Sequence, residues 1–420
     1  VKQRLVVLLG ALMMVMLAAC GGGDDSGDAG GDTTLQIGLW DENLKDVIDQ
    51  NIARFEEENP GVTVEVTYTP WADYWTKLRT NLAGGGGPDV FWMNGPNIYQ
   101  YASSGLIKDI QPFIDEEDLD TTVFNDSLVE LYTYEDSMYG LPTFLDTIGL
   151  FYNKALFDEA GVDYPTADWT WDDLEEAAEQ LTDEEKGQYG YIAFNSEQAG
   201  YYNLILQNGG YIISDDKTTS GMGSPEALEA MEWMQMMLDQ MYSPSIQTQI
   251  ETEPNQIFGS RKAAMLPNIS VNTPYLYEML GDDLGIAPLP AGKEKAAIVH
   301  GLSWVMNAQT EHEELAWKLM KSLTDEEAGK LMAESGFSIP AYKGTEDAWV
   351  ESIPGLDLQV FIDTLEFGVP YPVSEQTAEW QTIEQTEIES ALLGNQPLDE
   401  ALKKVEEGMN EILAEEQADE

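Results

Sequence analysis

An α/β protein of two lobes is what this sequence predicts, on three observations. The chain has 420 residues, more than one hydrophobic core ordinarily serves, so two cores are expected. Its apolar content of 43% and aromatic content of 10% are ample to fill them and argue against wholesale disorder. Short apolar runs alternate with helix-period segments along the first part of the chain. That pattern predicts a mainly parallel sheet with helices on both faces, and ligands at the carboxyl ends of its strands.

Leu35 to Trp40 reads as the first strand, and Asp41, Glu42 and Asn43 supply caps for a helix carrying Leu44, Ile48, Ile52 and Phe55. Asn59-Pro60-Gly61 stops that helix. Val62, Val64 and Val66 alternate with Thr and Glu, a half-buried second strand. Trp71 to Leu82 is helical and is broken by Gly84 to Gly87 and Pro88; Asp89 to Met93 is the third strand. Those glycines precede a strand and lack a following Lys-Ser/Thr, which discards a phosphate-binding loop.

The stretch Tyr139 to Trp171 organises the rest. Gly140-Leu141-Pro142 leads to a buried-strand pattern at Ile148 to Tyr152. Asn153 then opens a helix that Gly161 closes, and Thr170 caps another with acids in its first turn. Asp146 lies between strand and turn, a carboxylate where the chain changes direction. Further on, Ser224 and Pro225 start a helix with methionines at 231, 234, 236, 237 and 241, read as core packing. Phe258 to Met265 leads into Leu266 to Asn272. Helices follow at Glu313 to Leu323, Asp325 to Gly336, Trp380 to Leu393 and Leu398 to Leu413.

Charge and chemistry exclude several functions. Against 20 basic side chains stand 77 acidic ones, a net charge of −57 that repels nucleic acid and anionic lipid. The acids are dispersed over helices, as on a solvated surface suited to high salt, so a halophilic or alkaliphilic source is expected. Cys20 is the single cysteine, which rules out a disulfide framework and a cysteine nucleophile. Two distant histidines, His300 and His312, make no zinc site, and no Gly-x-Ser-x-Gly elbow is present. Asp215 to Glu226 has the length of a calcium loop, but Lys217 takes a ligand position and Ser220 replaces the turn glycine. Carboxylate pairs are too abundant among 77 acids to argue for or against a glycosidase. No cofactor and no metal are expected.

Taken in order, Gly140-Leu141-Pro142, Asp146, Tyr152-Asn153-Lys154, Leu156-Phe157-x-x-Ala160-Gly161 and the Trp-rich cap resemble the extracellular solute-binding proteins of bacterial ABC importers, the maltose-binding-like group in particular. Tyr101 to Ile107, Gly259 to Met265, Leu284 to Pro290 and Val299 to Val305 extend the resemblance to about residues 35–413. It implies a periplasmic-binding-protein type II fold: two discontinuous lobes, each a mainly parallel sheet flanked by helices, with a hinge and an inter-lobe cleft. On that reading residues 33–145 with 291–340 make the N-terminal lobe, and 146–290 with 341–420 the C-terminal lobe. The implied function is capture of a small-molecule carbohydrate and its delivery to ABC importer permease subunits, by a monomer without enzymatic activity. A polyamine or peptide ligand, a surface polysaccharide-degrading enzyme and an adhesive lipoprotein are the alternatives.

The resemblance places solute contacts in the loops that hold Trp40, Asp41, Glu42, Trp71, Met93, Asn94, Asp146, Tyr201, Tyr202, Asn268, Ser270, His300, Gly301 and Trp304. Sugars suit such a set, since their C–H faces lie on rings and their hydroxyls bond to Asp, Asn and Glu. Trp40 and Trp71 have a second reading as lobe core. Trp75, Trp92, Trp169, Trp171 and Trp317 are assigned to core or caps, and Trp380 to a helix core. Where the family has Gly-x-Trp, this chain has Asn268-Ile269-Ser270. At the N-terminus, Lys2 and Arg4, the apolar run Leu5 to Ala19 and Cys20 directly after Ala18-Ala19 resemble a lipoprotein signal. Residues 1–19 would be removed, Cys20 would carry lipid as the only link to the membrane, and the Gly/Asp-rich residues 20–32 would be a flexible tether outside the cytoplasm.

Overall fold

A computed structural model describes residues 33–419; the expected leader, tether and Cys20 lie outside the described residues. In chain order the strands are β1 (Thr33–Leu39), β2 (Val62–Tyr68), β3 (Val90–Asn94), β4 (Thr133–Tyr134), β5 (Ser137–Met138), β6 (Gly140–Asp146), β7 (Ile148–Asn153), β8 (Met265–Ile269), β9 (Leu284–Ala287), β10 (Ala297–Met306), β11 (Ile339–Pro340) and β12 (Gly368–Pro370). One sheet has the order β11-β6-β10-β3-β1-β2, with β12 beside the start of β10; a second has the order β8-β7-β9. β4 and β5 form a small separate hairpin.

Local chemistry accounts for the elements. β3 is buried along its whole length, as an apolar run inside a sheet requires, whereas β2 at the edge alternates and buries only Val64 fully. Asp41 caps the short turn before the helix Lys45–Glu58 by accepting from the Asn43 N–H. Asn153 caps the helix Lys154–Ala160, and Gly161 ends it at φ 71°, a left-handed position where a side chain would be strained. Thr170 and Asp173 form a reciprocal capping box at the start of Trp171–Leu181. In the helix Pro225–Asp239, Met231, Met234 and Met237 are core, while Met241 beyond its end stands exposed.

Strand directions depart from the expected mainly parallel sheets. β1 runs parallel to β2 and β3, as strand–helix alternation dictates. β10, however, is antiparallel to β3 and β6, and β7 is antiparallel to both β8 and β9. The alternation rule governs strands that succeed one another within a lobe. β7 enters the second sheet directly from β6, with only Thr147 between, and β10 returns from the second lobe to the first. Each therefore runs against its local neighbours. The closing helices Thr377–Leu392 and Leu398–Asp419 pack on each other; the former also touches the helix Gly95–Ser103 beside the first sheet, the latter the helix Pro225–Asp239. This helix pair thus contacts both halves of the molecule.

Candidate functional site

Register fixes which residues share the carboxyl edge of the first sheet. Leu39 lies opposite Tyr68, Asn94 opposite Leu302, and His300 opposite Asp146. Across that edge lie, in spatial order, Trp71 after β2, Trp40 after β1, Asn94, His300 and Asp146. The second sheet meets it at the crossing, where Ile148 pairs with Ile269 and the Ser270 N–H donates to the Thr147 carbonyl (2.9 Å).

At one end of this edge is a cluster of rings. Trp40 makes edge contacts with Trp71, Tyr74 and Trp92 at centroid distances of 5.1, 4.9 and 4.9 Å, and Trp75 closes the group 5.8 Å from Trp40. Tyr74 anchors it by donating to the Trp92 carbonyl (2.8 Å). Trp92 is buried, Trp40 is half-buried, and Trp71 is 51% exposed. A ring held at one edge by other rings and open on its remaining surface is a rigid apolar platform. Asp41, spent partly on its cap, and the exposed Glu42 stand beside it.

At the other end the groups are polar and enclosed. Asp146 is 7% exposed, and its Oδ1 lies 3.3 Å from Ser270 Oγ of the second lobe and 3.4 Å from Ser338 Oγ of the first. Burial pushes its carboxyl up to about 6, against the lowering effect of those hydrogen bonds. His300 accepts from the Gly95 N–H at 3.3 Å, and burial pushes its imidazole down to about 4, so it is a neutral acceptor at physiological pH. Gly301 is required where it stands, because a Cβ there would meet the Phe144 carbonyl oxygen at 2.4 Å.

The other residues expected at the site divide in two. Asn94 accepts from Asn97 at the start of the helix Gly95–Ser103, and Asn268 donates to Asn255 while accepting from Ile269 and Asn272. Ser270 is enclosed against Asp146. Met93 and Trp304, by contrast, are core: both side chains are closed to solvent, and Trp304 packs 5.7 Å from Trp92. Neither side chain reaches solvent, so neither presents a surface to a solute. Tyr201 and Tyr202 are equally enclosed, and Tyr202 donates to Glu384 Oε2 at 2.7 Å. Trp380 is core, donating to Ser374, in line with its assignment.

Sequence reasoning missed Ser338, Tyr371 and Glu384. Ser338 precedes β11 with no motif, and Glu384 sits in a Glu-rich helix where nothing marks one acid as buried. Tyr371, just past β12, lies 5.2 Å from the His300 ring and 5.8 Å from that of Tyr202. A separate cavity of about 250 Å³ is lined from the first lobe by Tyr99 and Glu130, from the second by Tyr211 and Lys217, and by Tyr371. Lys217, which spoiled the calcium-loop pattern, lies 4.8 Å over the Tyr99 ring and donates to the Val373 carbonyl. Among the described residues, no group of three or more His, Cys, Asp or Glu side chains could hold a metal ion, and no helix is long and apolar enough to cross a membrane.

Enclosed polar groups at a crossing and rings at a sheet edge suit reversible binding of a solute. Comparison with known proteins agrees. The chain is similar to the maltodextrin-binding protein of Bacillus subtilis (strain 168), 26% identical over 316 residues and covering 72% of each chain. It is also similar to the galactooligosaccharide-binding protein of the same organism, 26% identical over 324 residues and covering 73% of each. Among solved structures it is similar to the ABC substrate-binding protein Lmo0181 from Listeria monocytogenes in complex with cycloalternan, with 27% identity and a TM-score of 0.82. That alignment covers 91% of this chain and 99% of the other. Residues 41–330 match the family described as bacterial extracellular solute-binding protein, and with the two-lobed fold and inter-lobe site in hand, the chain belongs to that family.

Proposed function

We propose that this protein captures a neutral sugar or oligosaccharide outside the cytoplasm and hands it to the permease subunits of an ABC importer. The observation that carries the reading is the platform of Trp40 and Trp71, a ring surface that keeps open area beside the carboxylates of Asp41 and Glu42 at the carboxyl edge of the first sheet. Its chemistry matches the two faces of a sugar. The ligands of the similar proteins, maltodextrin, galactooligosaccharide and cycloalternan, support the same class. Trp40, Asp41, Glu42, Trp71, Asn94, Asp146, Asn268, Ser270 and His300 are the proposed contacts or their immediate supports. Residues 33–145 with 291–340, and 146–290 with 341–420, are the proposed lobes. A solute touching both favours closure only by its differential affinity for the closed state. The protein works as a monomer without catalysis, tethered through lipid on Cys20, in a surface acidic enough to favour high salt.

A thermal-shift screen of the chain against a carbohydrate panel tests this, because a solute that binds only the folded state raises the melting temperature by mass action. One class of sugar should shift it, with matching tryptophan fluorescence change and no new reducing ends after long incubation. A panel without a shift counts against sugar capture, and reducing ends appearing with time count for an enzyme.

A further inference from the structure

Glu384 projects from the helix Thr377–Leu392 into a pocket of tyrosines and is fully buried. Its Oε2 accepts from the Tyr202 hydroxyl at 2.7 Å; among the described residues its Oε1 has no hydrogen-bond partner within 3.5 Å, and Tyr201 also lies against the carboxyl. The groups facing it are Tyr201, Tyr202 and Glu197 from the turn and helix of residues 197–207, with Tyr371 from the segment after β12. His300 lies behind Tyr371. The helix Gly95–Ser103 carries no charged residue. Leu398–Asp419 buries one carboxylate, Glu416, which is bonded to Ser374 and the Gln376 N–H. Among the described residues no cation therefore compensates Glu384, and the close charged neighbour there is another acid, Glu197. A carboxylate so placed would have neither solvent nor counter-charge for its second oxygen.

We propose that Glu384 is a positioning residue that works as the neutral acid: protonated, it pins Tyr202 to the helix Thr377–Leu392 within the second lobe, and its ionisation loosens the seat of that helix and with it the contact the helix makes with Gly95–Ser103 of the first lobe. Burial, ahead of the opposing tyrosine hydrogen bonds, holds its carboxyl up at about 8. The folded pKa is thus above the unfolded one. The stabilisation is complete below the unfolded value near 4.5, declines as pH rises, and is gone once pH has passed about 8. The consequence for solute capture rests on the function proposed above; the consequence for the empty protein does not.

The test compares the ligand-free full chain with Glu384→Gln, a neutral isostere, between pH 6.5 and 10. Infrared spectroscopy should show the carbonyl stretch of a protonated carboxylic acid in the wild type at pH 7, lost near pH 8 and absent from Glu384→Gln. Asp146, at about 6, is largely ionised at the start of this window. Small-angle scattering should show the wild type expanding over the same step while Glu384→Gln keeps constant dimensions; Lys217→Gln, which removes the buried amine of the separate cavity that Tyr371 also lines, should expand like the wild type. No protonated band in the wild type at pH 7, or the same expansion in Glu384→Gln, overturns the proposal. Should Glu384→Gln fail to fold, the wild-type band and scattering still decide, since both must change together near pH 8. With maltotriose as probe, wild-type affinity should fall about tenfold from pH 7 to 9 and that of Glu384→Gln should not. Failure of both proteins to bind maltotriose at pH 7 strikes at the sugar reading, while the ligand-free step alone judges the role of Glu384.

Discussion

Along the carboxyl edge of the first sheet, the β2–β1 end is lined by rings with open surface, whereas the β10–β6–β11 end is lined by polar side chains that satisfy one another. At the first end Trp40 and Trp71 rest on Tyr74, Trp75 and Trp92, and the outermost ring is half exposed. At the second, Asp146 takes a hydroxyl from each lobe and His300 takes the Gly95 N–H. The ring end keeps unspent contact surface, which is what a guest needs. The polar end has already spent much of its hydrogen bonding across the crossing strands, so its part in the proposed site is chiefly support. The proposed solute site thus sits beside a crossing built by the opposite rule.

The comparison can be broken most violently at the base of the platform. Trp92→Ala removes the ring under Trp40 and should cost about 3–5 kcal/mol in urea unfolding; a loss below about 1 kcal/mol would mean the cluster is not a packed unit. Trp40→Ala should weaken sugar binding by about tenfold or more, read by titration calorimetry, with wild-type affinity removing it from the site. At the polar end, Asp146→Asn should abolish a pH dependence rather than a contact. The folded carboxyl, at about 6, lies above its ordinary 3.8, so its stabilisation is complete below 3.8 and lost as pH rises through 6. Thermal unfolding of wild type minus Asp146→Asn should trace that decline, and a flat difference would place the carboxylate in a wetter setting. Smallest of all, Trp71→Ala should leave the melting temperature within a degree or two while weakening binding by about threefold. A large stability loss there would make Trp71 a core residue after all.

Much of this was legible in the sequence because local rules and the burial pattern coincide. The caps at Asn153, Thr170 and Ser224, the glycine stop at Gly161 and the apolar runs of β1, β3 and β7 stand where propensity puts them. Strand direction in the second sheet was not legible, since antiparallel entry of β7 follows from its arrival across the lobe boundary and not from its own residues. Exposure was readable where loop position decides it, as at Trp40 and Trp71. It was misread at Met93 and Trp304, where proximity to an edge says nothing about which face of a strand a side chain occupies. Ser338, Tyr371 and Glu384 left no trace, because the Asp146 and Tyr202 clusters are assembled from segments more than 180 residues apart.

Thr147 alone separates the last residue of β6 from the first of β7, which leaves the chain no slack at that point. Whatever swings there swings as a crank: a turn of about 10° in a few backbone torsions carries the far end of a seven-residue strand through about 4 Å. Inserting even one glycine between Asp146 and Ile148 would therefore detune the gearing between the halves while leaving the Trp40–Trp71 ring cluster in place.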